Sequence, residues 1–127
     1  PIEYSATIPL EDQLRAFANA VIYLIDDPIR RGLAKFLTAE FAMDIELGKK
    51  VRQQAKPPHL AFIRWLEAAK ADQKLEFTSP QLAAQIFYGL VEGCITYAAL
   101  FTDGESLKFK EPILDELIQT FLCRYQA

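Results

Sequence analysis

The chain has 127 residues, 51% of them hydrophobic, and a net charge of −3 from 14 basic and 17 acidic side chains. That length fits one domain that buries about two-thirds of its unfolded surface, so neither a metal nor a disulfide is needed to hold it. The acidic balance argues against a nucleic-acid backbone binder, which needs clustered Lys and Arg. Two cysteines, Cys94 and Cys123, are too few for a disulfide framework and read as buried, reduced thiols.

The prolines punctuate the chain at 1, 9, 28, 57, 58, 80 and 112. Beyond the first, each opens or precedes a stretch of helical periodicity, as suits a residue whose missing N–H does no harm in a first turn. No Asn-Gly hairpin and no period-two alternation appears, so the predicted class is all-α, a bundle of five to six helices. Pro1-Ile2-Glu3-Tyr4 carries no basic stretch followed by a long apolar run; no signal peptide is expected, a cytoplasmic protein is the natural reading, and the absent initiator Met points to a trimmed fragment.

The first helix is predicted over about 10–26, with Leu10, Leu14, Phe17, Ala18, Val21, Leu24 and Ile25 on one face. The second begins near Pro28 behind Asp26 and Asp27, whose negative charge suits a helix N-terminus. Its stripe is Ile29, Leu33, Phe36 and Leu37. A kink or break follows around 44–48, then a short helix or irregular turn carrying Lys49, Lys50, Arg52 and Lys56, stopped by Pro57-Pro58. That basic cluster reads as a solvated helix face. The third helix is predicted over about 58–73, facing inward with His59, Phe62, Ile63, Leu66 and Ala69; Trp65 is placed opposite Phe62 and Leu66, over a seam.

The fourth helix starts at the cap Ser79 and at Pro80, and stops at Asp103-Gly104. Gln81, Gln85, Glu92 and Thr96 share one narrow polar stripe at about 100° per residue. The remaining faces are apolar or small: Ala83, Phe87, Leu90, Cys94, Tyr97 and Phe101 on one; Ala84, Tyr88, Val91 and Ile95 on a second; Leu82, Ile86, Gly89, Gly93 and Leu100 on a third. A surface helix shows one apolar stripe, so this one is expected to be buried from several sides, by its own core and by a second subunit. A membrane span containing Gly89-x-x-x-Gly93 is the rival; the shared polar stripe and the lack of basic anchors argue against it. The fifth helix runs from about Lys110 to the end, with Ile113, Leu114, Leu117, Ile118, Phe121, Leu122 and Tyr125 on a broad apolar face.

No catalytic set is visible. One histidine cannot make a multi-His metal site, no serine sits as a nucleophile, and no Gly-rich phosphate loop occurs, so neither enzyme, metal nor cofactor is expected. A carboxylate on an apolar face needs a partner, which singles out Glu40. Together with Phe36, Phe41, His59, Phe62, Ile63, Phe87 and Tyr97 it is the candidate lining of a mostly apolar pocket with a few polar groups. Each member alone reads more simply as core or as a structural hydrogen bond. The candidate dimer interface is Ala84, Tyr88, Val91 and Ile95 with Leu114, Ile118, Phe121 and Tyr125; the Gly89/Gly93 flank is the other candidate.

The stretch Leu75-Glu76-Phe77-Thr78-Ser79-Pro80-Gln81-Leu82-Ala83-Ala84-Gln85-Ile86-Phe87-Tyr88-Gly89-Leu90 resembles the TetR-family C-terminal domain, where a loop and a proline open the long dimerisation helix before paired alanines and an aromatic. Leu33-x-x-Phe36-Leu37-Thr38-Ala39-Glu40-Phe41 resembles that family's second regulatory helix. The likeness spans roughly residues 10–126. Asp44-Ile45-Glu46-Leu47 departs from it, lacking the Phe-Pro often seen there, and the helix-turn-helix is not in this sequence. The resemblance implies a homodimer joined through the last two long helices as an intersubunit four-helix bundle, and a small apolar or amphipathic effector. It also implies DNA contact only through an N-terminal part outside this chain. Residues 1–9 would then be an extension or linker from that part, and 10–127 the regulatory domain of a repressor. The alternatives are a helical interaction module of another family and a helical enzyme or lipid-binding bundle.

Overall fold

A computed structural model describes residues 2–54 and 59–127. The described residues form seven α-helices: α1 Leu10–Ile22, α2 Pro28–Met43, α3 Ile45–Gln54, α4 Leu60–Ala71, α5 Pro80–Val91, α6 Tyr97–Phe101 and α7 Lys110–Tyr125. A π-helical turn, Glu92–Thr96, joins α5 to α6, and a 3-10 segment, Glu105–Phe109, leads into α7. Among the described residues the one extended pairing is an isolated antiparallel bridge, Leu75 to Gln126. The fold is all-α, as the punctuation of the sequence implies.

The starts obey local chemistry. Ser79 accepts the Leu82 N–H at 3.2 Å, with Pro80 in the first turn of α5. The Asp27 carboxylate accepts the N–H groups of Ile29 and Arg30 at 2.9 and 3.0 Å. The hydrogen bond from Arg30 is the main cause holding the Asp27 carboxyl below its usual pKa. The predicted break after α2 falls at Asp44, whose Oδ1 takes the Leu47 N–H and restarts the chain as α3. The Pro57-Pro58 stop lies outside the described residues, as does Lys56.

One core holds the bundle together. α5 lies against α1, α4 and α7, and α1 packs on α7. Leu14, Phe62, Leu66, Phe87, Val91, Leu114, Ile118 and Phe121 meet there with essentially no solvent contact. Trp65 belongs to this core too. At three residues' spacing it lies on the same side of α4 as Phe62, stacks on that ring at 5.6 Å and donates to Gln13 Oε1 at 2.9 Å. This corrects its placement over a seam opposite Phe62.

The N-terminal segment is docked. Gln13 holds it by accepting from Ser5 N–H at 2.9 Å and donating to the Ser5 and Ile8 carbonyls at 2.9 and 2.7 Å. The Tyr4 hydroxyl donates to Asp72 at 2.6 Å, while Ile2 and Tyr4 pack against the core.

Three expectations change. α1 ends at Ile22, not near Asp26. Tight turns from Leu24 and Ile25 onto the Val21 and Ile22 carbonyls redirect the chain, and Ile25 enters a second small cluster with Ala99 and Leu100. The α2 stripe does not face this subunit's core: Ile29, Leu33, Phe36 and Leu37 are exposed, because among the described residues the main contacts of α2 are with α3 and the short α6. Both cysteines are exposed rather than buried.

Candidate functional site

The long apolar segment explains itself through the π-turn. An ideal helix places Leu100 on the Gly89/Gly93 flank and Phe101 beside Phe87. The structure does the opposite: Leu100 is 6% exposed and Phe101 86%. A π-turn adds one residue to the helical repeat and so rotates everything after it by about 100°. Ala99 and Leu100 thereby swing onto Ile25, while Phe101 swings out. Nothing in the side-chain pattern announces this turn.

The segment Pro80–Phe101, with a mean hydropathy of 1.3, has the length and composition of a membrane span. Its inward residues are Ala83, Ala84, Phe87, Tyr88, Val91 and Ile95, all in the common core. That makes it the central helix of a bundle.

The eight residues expected at a subunit interface, Ala84, Tyr88, Val91, Ile95, Leu114, Ile118, Phe121 and Tyr125, are all buried inside the subunit. The physical reason is size: the bulky and branched flank fills the core, and the flank with the glycines is left outside. Leu82, Ile86, Gly89, Gly93, Tyr97 and Phe101 form the exposed stripe. A Cβ built on Gly89 or on Gly93 meets nothing within 4 Å, so packing within the subunit gives no reason for either glycine. Beside the stripe, Leu90 and Cys94 face Pro112, Ile113, Glu116 and Thr120 of α7 across a shallow, almost wholly apolar groove.

On the other edge of α5 the polar residues gather. Tyr88, Glu92 and Thr96 follow each other at four-residue intervals. The ring of His59, just ahead of α4, lies 4.3 Å from the Tyr88 ring, and Phe62 meets the same ring edge-on at 5.4 Å. Among the described residues, His59 Nδ1 and Thr96 Oγ1 are buried without a hydrogen-bond partner. Burial holds the His59 pKa below its ordinary 6.5, an effect that the Glu92 carboxylate partly opposes. Burial, helped by Glu92, pushes the Tyr88 hydroxyl up to about 12. Aromatic rings with a few polar groups beside them are the kind of lining small-molecule sites use, which makes this edge of α5 a candidate.

Of the expected pocket residues, the structure brings His59, Phe62 and Phe87 together, with Phe62 stacked on Phe87 at 4.9 Å, and leaves Ile63 half-buried beside them. Phe36 and Glu40 lie exposed on α2 and Phe41 is half-buried there; Tyr97 is on the outward stripe. Tyr88, expected at the subunit interface, and Glu92 and Thr96, expected only on the polar stripe, lie beside this candidate site rather than in the expected pocket lining. The orphaned His59 and Thr96 atoms that mark the site exist only in three dimensions.

Residues 12–127 match the family described as AefR-like transcriptional repressor, C-terminal domain. The chain belongs to this family of TetR-type regulator domains. No curated protein and no solved structure matches the chain. The TetR-type assignment makes this a regulator's ligand-binding and dimerisation domain in general terms, and replaces the alternative of an interaction module from another family.

Proposed function

We propose that this TetR-type domain senses a small amphipathic effector and pairs two copies of a transcriptional repressor, whose operator-reading helix-turn-helix lies N-terminal to it. In this reading the protein works in the cytoplasm and touches DNA only through that part. Binding of effector between α4 and the π-turn shifts α5 and α6 relative to α1, and thereby the spacing of two DNA-reading heads. A dimeric reader depends on half-site spacing, so a small rotation abolishes binding. The effector acts only as far as it favours one arrangement over the other.

The observation that carries this reading is the bare stripe Leu82, Ile86, Gly89, Gly93, Tyr97 and Phe101, apolar or small throughout and open at both glycines. A second copy laid against it completes the burial that one subunit leaves undone, with backbones close together at the glycines. The exposed groove between α5 and α7 extends the same face, as an intersubunit four-helix bundle requires.

Sedimentation velocity tests it. The wild type is expected as a dimer at micromolar concentration, and Ile86→Arg, on the exposed stripe, as a folded monomer with an unchanged helical circular dichroism spectrum. Val91→Arg is expected to unfold the subunit, since Val91 is 0% exposed. A wild type that stays monomeric overturns the dimer.

A further inference from the structure

Ala61, Arg64, Trp65 and Ala68 follow each other along one flank of α4 at three- and four-residue spacing, with Ile63 on the opposite flank. The N-terminal segment runs beside that first flank and leaves a cleft of about 280 Å³ between itself and α4. Ile2, Glu3 and Tyr4 form the second wall. The lining within reach of a ligand is mostly apolar: Ile2, Tyr4 and Ala68 are half-buried and Ala61 is exposed. Trp65 makes the floor, with the Tyr4 ring edge-on to it at 6.0 Å. A concave, mostly apolar space with a few polar groups is the form small-molecule sites take, and this one suits a small ligand.

Two residues of opposite charge line the cleft from its two walls, Glu3 on the segment and Arg64 on α4. Both are exposed, and among the described residues neither forms an ion pair with the other or with a third group. A ligand with a carboxylate alone would suit Arg64 and be opposed by Glu3. One with an ammonium alone would suit Glu3 and be opposed by Arg64. A ligand carrying both, on a compact apolar body, is matched at every wall. The guanidinium fork complements a carboxylate, and an ammonium donates to the Glu3 carboxylate.

We propose that this cleft binds a free α-amino acid with an apolar side chain. Arg64 takes its carboxylate, Glu3 its ammonium, and Ala61, Ala68 and Tyr4 its side chain. This is a second site, on the other flank of α4 from the effector reading above, and it does not rest on that reading. The segment that walls it is tied down by three hydrogen bonds, Tyr4 to Asp72, Ser5 to Gln13 and Lys74 to the Ala6 carbonyl, at 2.6, 2.9 and 2.7 Å. An amino acid bridging Glu3 to Arg64 adds a further tie, so the occupied cleft holds the segment more firmly.

Titration with L-phenylalanine, 3-phenylpropionate and phenethylamine separates the charges, because the three share one phenylethyl body. Shifts of the Trp65 indole and backbone N–H signals in nitrogen–proton NMR spectra follow binding. Phenylalanine is expected to bind about threefold to fivefold tighter than either analogue, since each exposed charge contact adds modestly. Arg64→Gln is expected to erase its advantage over phenethylamine, and Glu3→Gln its advantage over 3-phenylpropionate. Ala61→Leu, at an exposed position, is expected to fill the cleft and abolish all three with circular dichroism unchanged. Hydrogen exchange at the Ser5 N–H is expected to slow when phenylalanine is bound; unchanged exchange would overturn the tie to the segment. Phenylalanine binding no tighter than the analogues, or an advantage that survives both charge variants, overturns the amino-acid assignment. If none of the three binds, the site fails while the dimer and effector readings stand.

Discussion

The guanidinium of Arg31 lies across Gly104, in the space that a Cβ on that residue would occupy. Arg31 is buried, donates from Nη1 to the Ile25 carbonyl at 3.1 Å, and turns Nε toward the Asp103 carboxylate at 3.5 Å. Gly104, in the turn between α6 and the 3-10 segment, has a φ of +83° and donates its N–H to the Ala99 carbonyl at 2.8 Å. One side chain thus ties the α1–α2 corner to the end of α6. Gly104→Ala has to strain a left-handed backbone position and push Arg31 off its acceptor. A loss of about 1–2 kcal/mol is expected. Urea unfolding measures it; a variant as stable as the wild type would show that Arg31 yields freely.

The Gln13 amide makes four hydrogen bonds, to the Ser5 N–H, the Ser5 and Ile8 carbonyls and the indole of Trp65. It is 5% exposed. Gln13→Leu keeps the volume and leaves all four partners without it, including a buried indole N–H. Stability is expected to fall by about 2–4 kcal/mol, with release of the N-terminal segment. Trp65→Phe removes one of the four partners, the indole donor, and should cost less. Trp65 is the chain's one tryptophan, so its emission reports the Gln13 variant directly. An unchanged emission maximum in folded Gln13→Leu would contradict the hub.

Much of this fold is written in the sequence, and the failures have one cause. Ser79-Pro80, Asp27-Pro28 and Asp44 mark helix starts by local hydrogen bonding, which needs no tertiary context. The α7 stripe from Leu114 to Tyr125 is one-sided as read, but Leu114, Ile118, Phe121 and Tyr125, expected against a partner subunit, face the subunit's own core. α5 is apolar on three flanks, so its periodicity contains no direction. Residue size decided the matter: Tyr88, Val91 and Ile95 went in, and Gly89 and Gly93 stayed out. In α2 the periodicity correctly names a shared face in Ile29, Leu33 and Phe36, but a stripe does not say what covers it. The π-turn at Glu92–Thr96 has no composition of its own. The site it helps build was therefore legible only in its aromatic half, through His59, Phe62 and Phe87.

Gly89 separates the stability of the subunit from that of the dimer. Its Cβ position is open, so Gly89→Leu should stabilise the isolated subunit by up to about 1 kcal/mol through helix propensity alone. In the proposed dimer the same side chain would hold the two subunits apart where their backbones would come closest. Association is expected to weaken at least severalfold while the monomer's unfolding midpoint rises. Sedimentation equilibrium and thermal unfolding, on Gly89→Leu in the Ile86→Arg background and alone, read the two effects separately. A dimer tightened by Gly89→Leu would place the partner elsewhere.

His59 gives the fold an acid-side weakness of known sign. Burial lowers its pKa in the folded protein below the ordinary 6.5, and Glu92 compensates only in part. As the pH falls below 6.5, the unfolded chain takes up a proton that the folded His59 resists. The unfolded state then binds more protons, so unfolding becomes easier with acid; the stability present above 6.5 is lost as the pH drops through this window and levels off below the folded pKa. His59 is the chain's one histidine, so no other side chain with an ordinary pKa titrates there. In His59→Gln the sag just below 6.5 is expected to flatten, while losses at lower pH, where Asp27 is protonated, remain. Urea midpoints taken at stepped pH decide it: parallel curves for wild type and variant would mean that His59 is as easily protonated folded as unfolded.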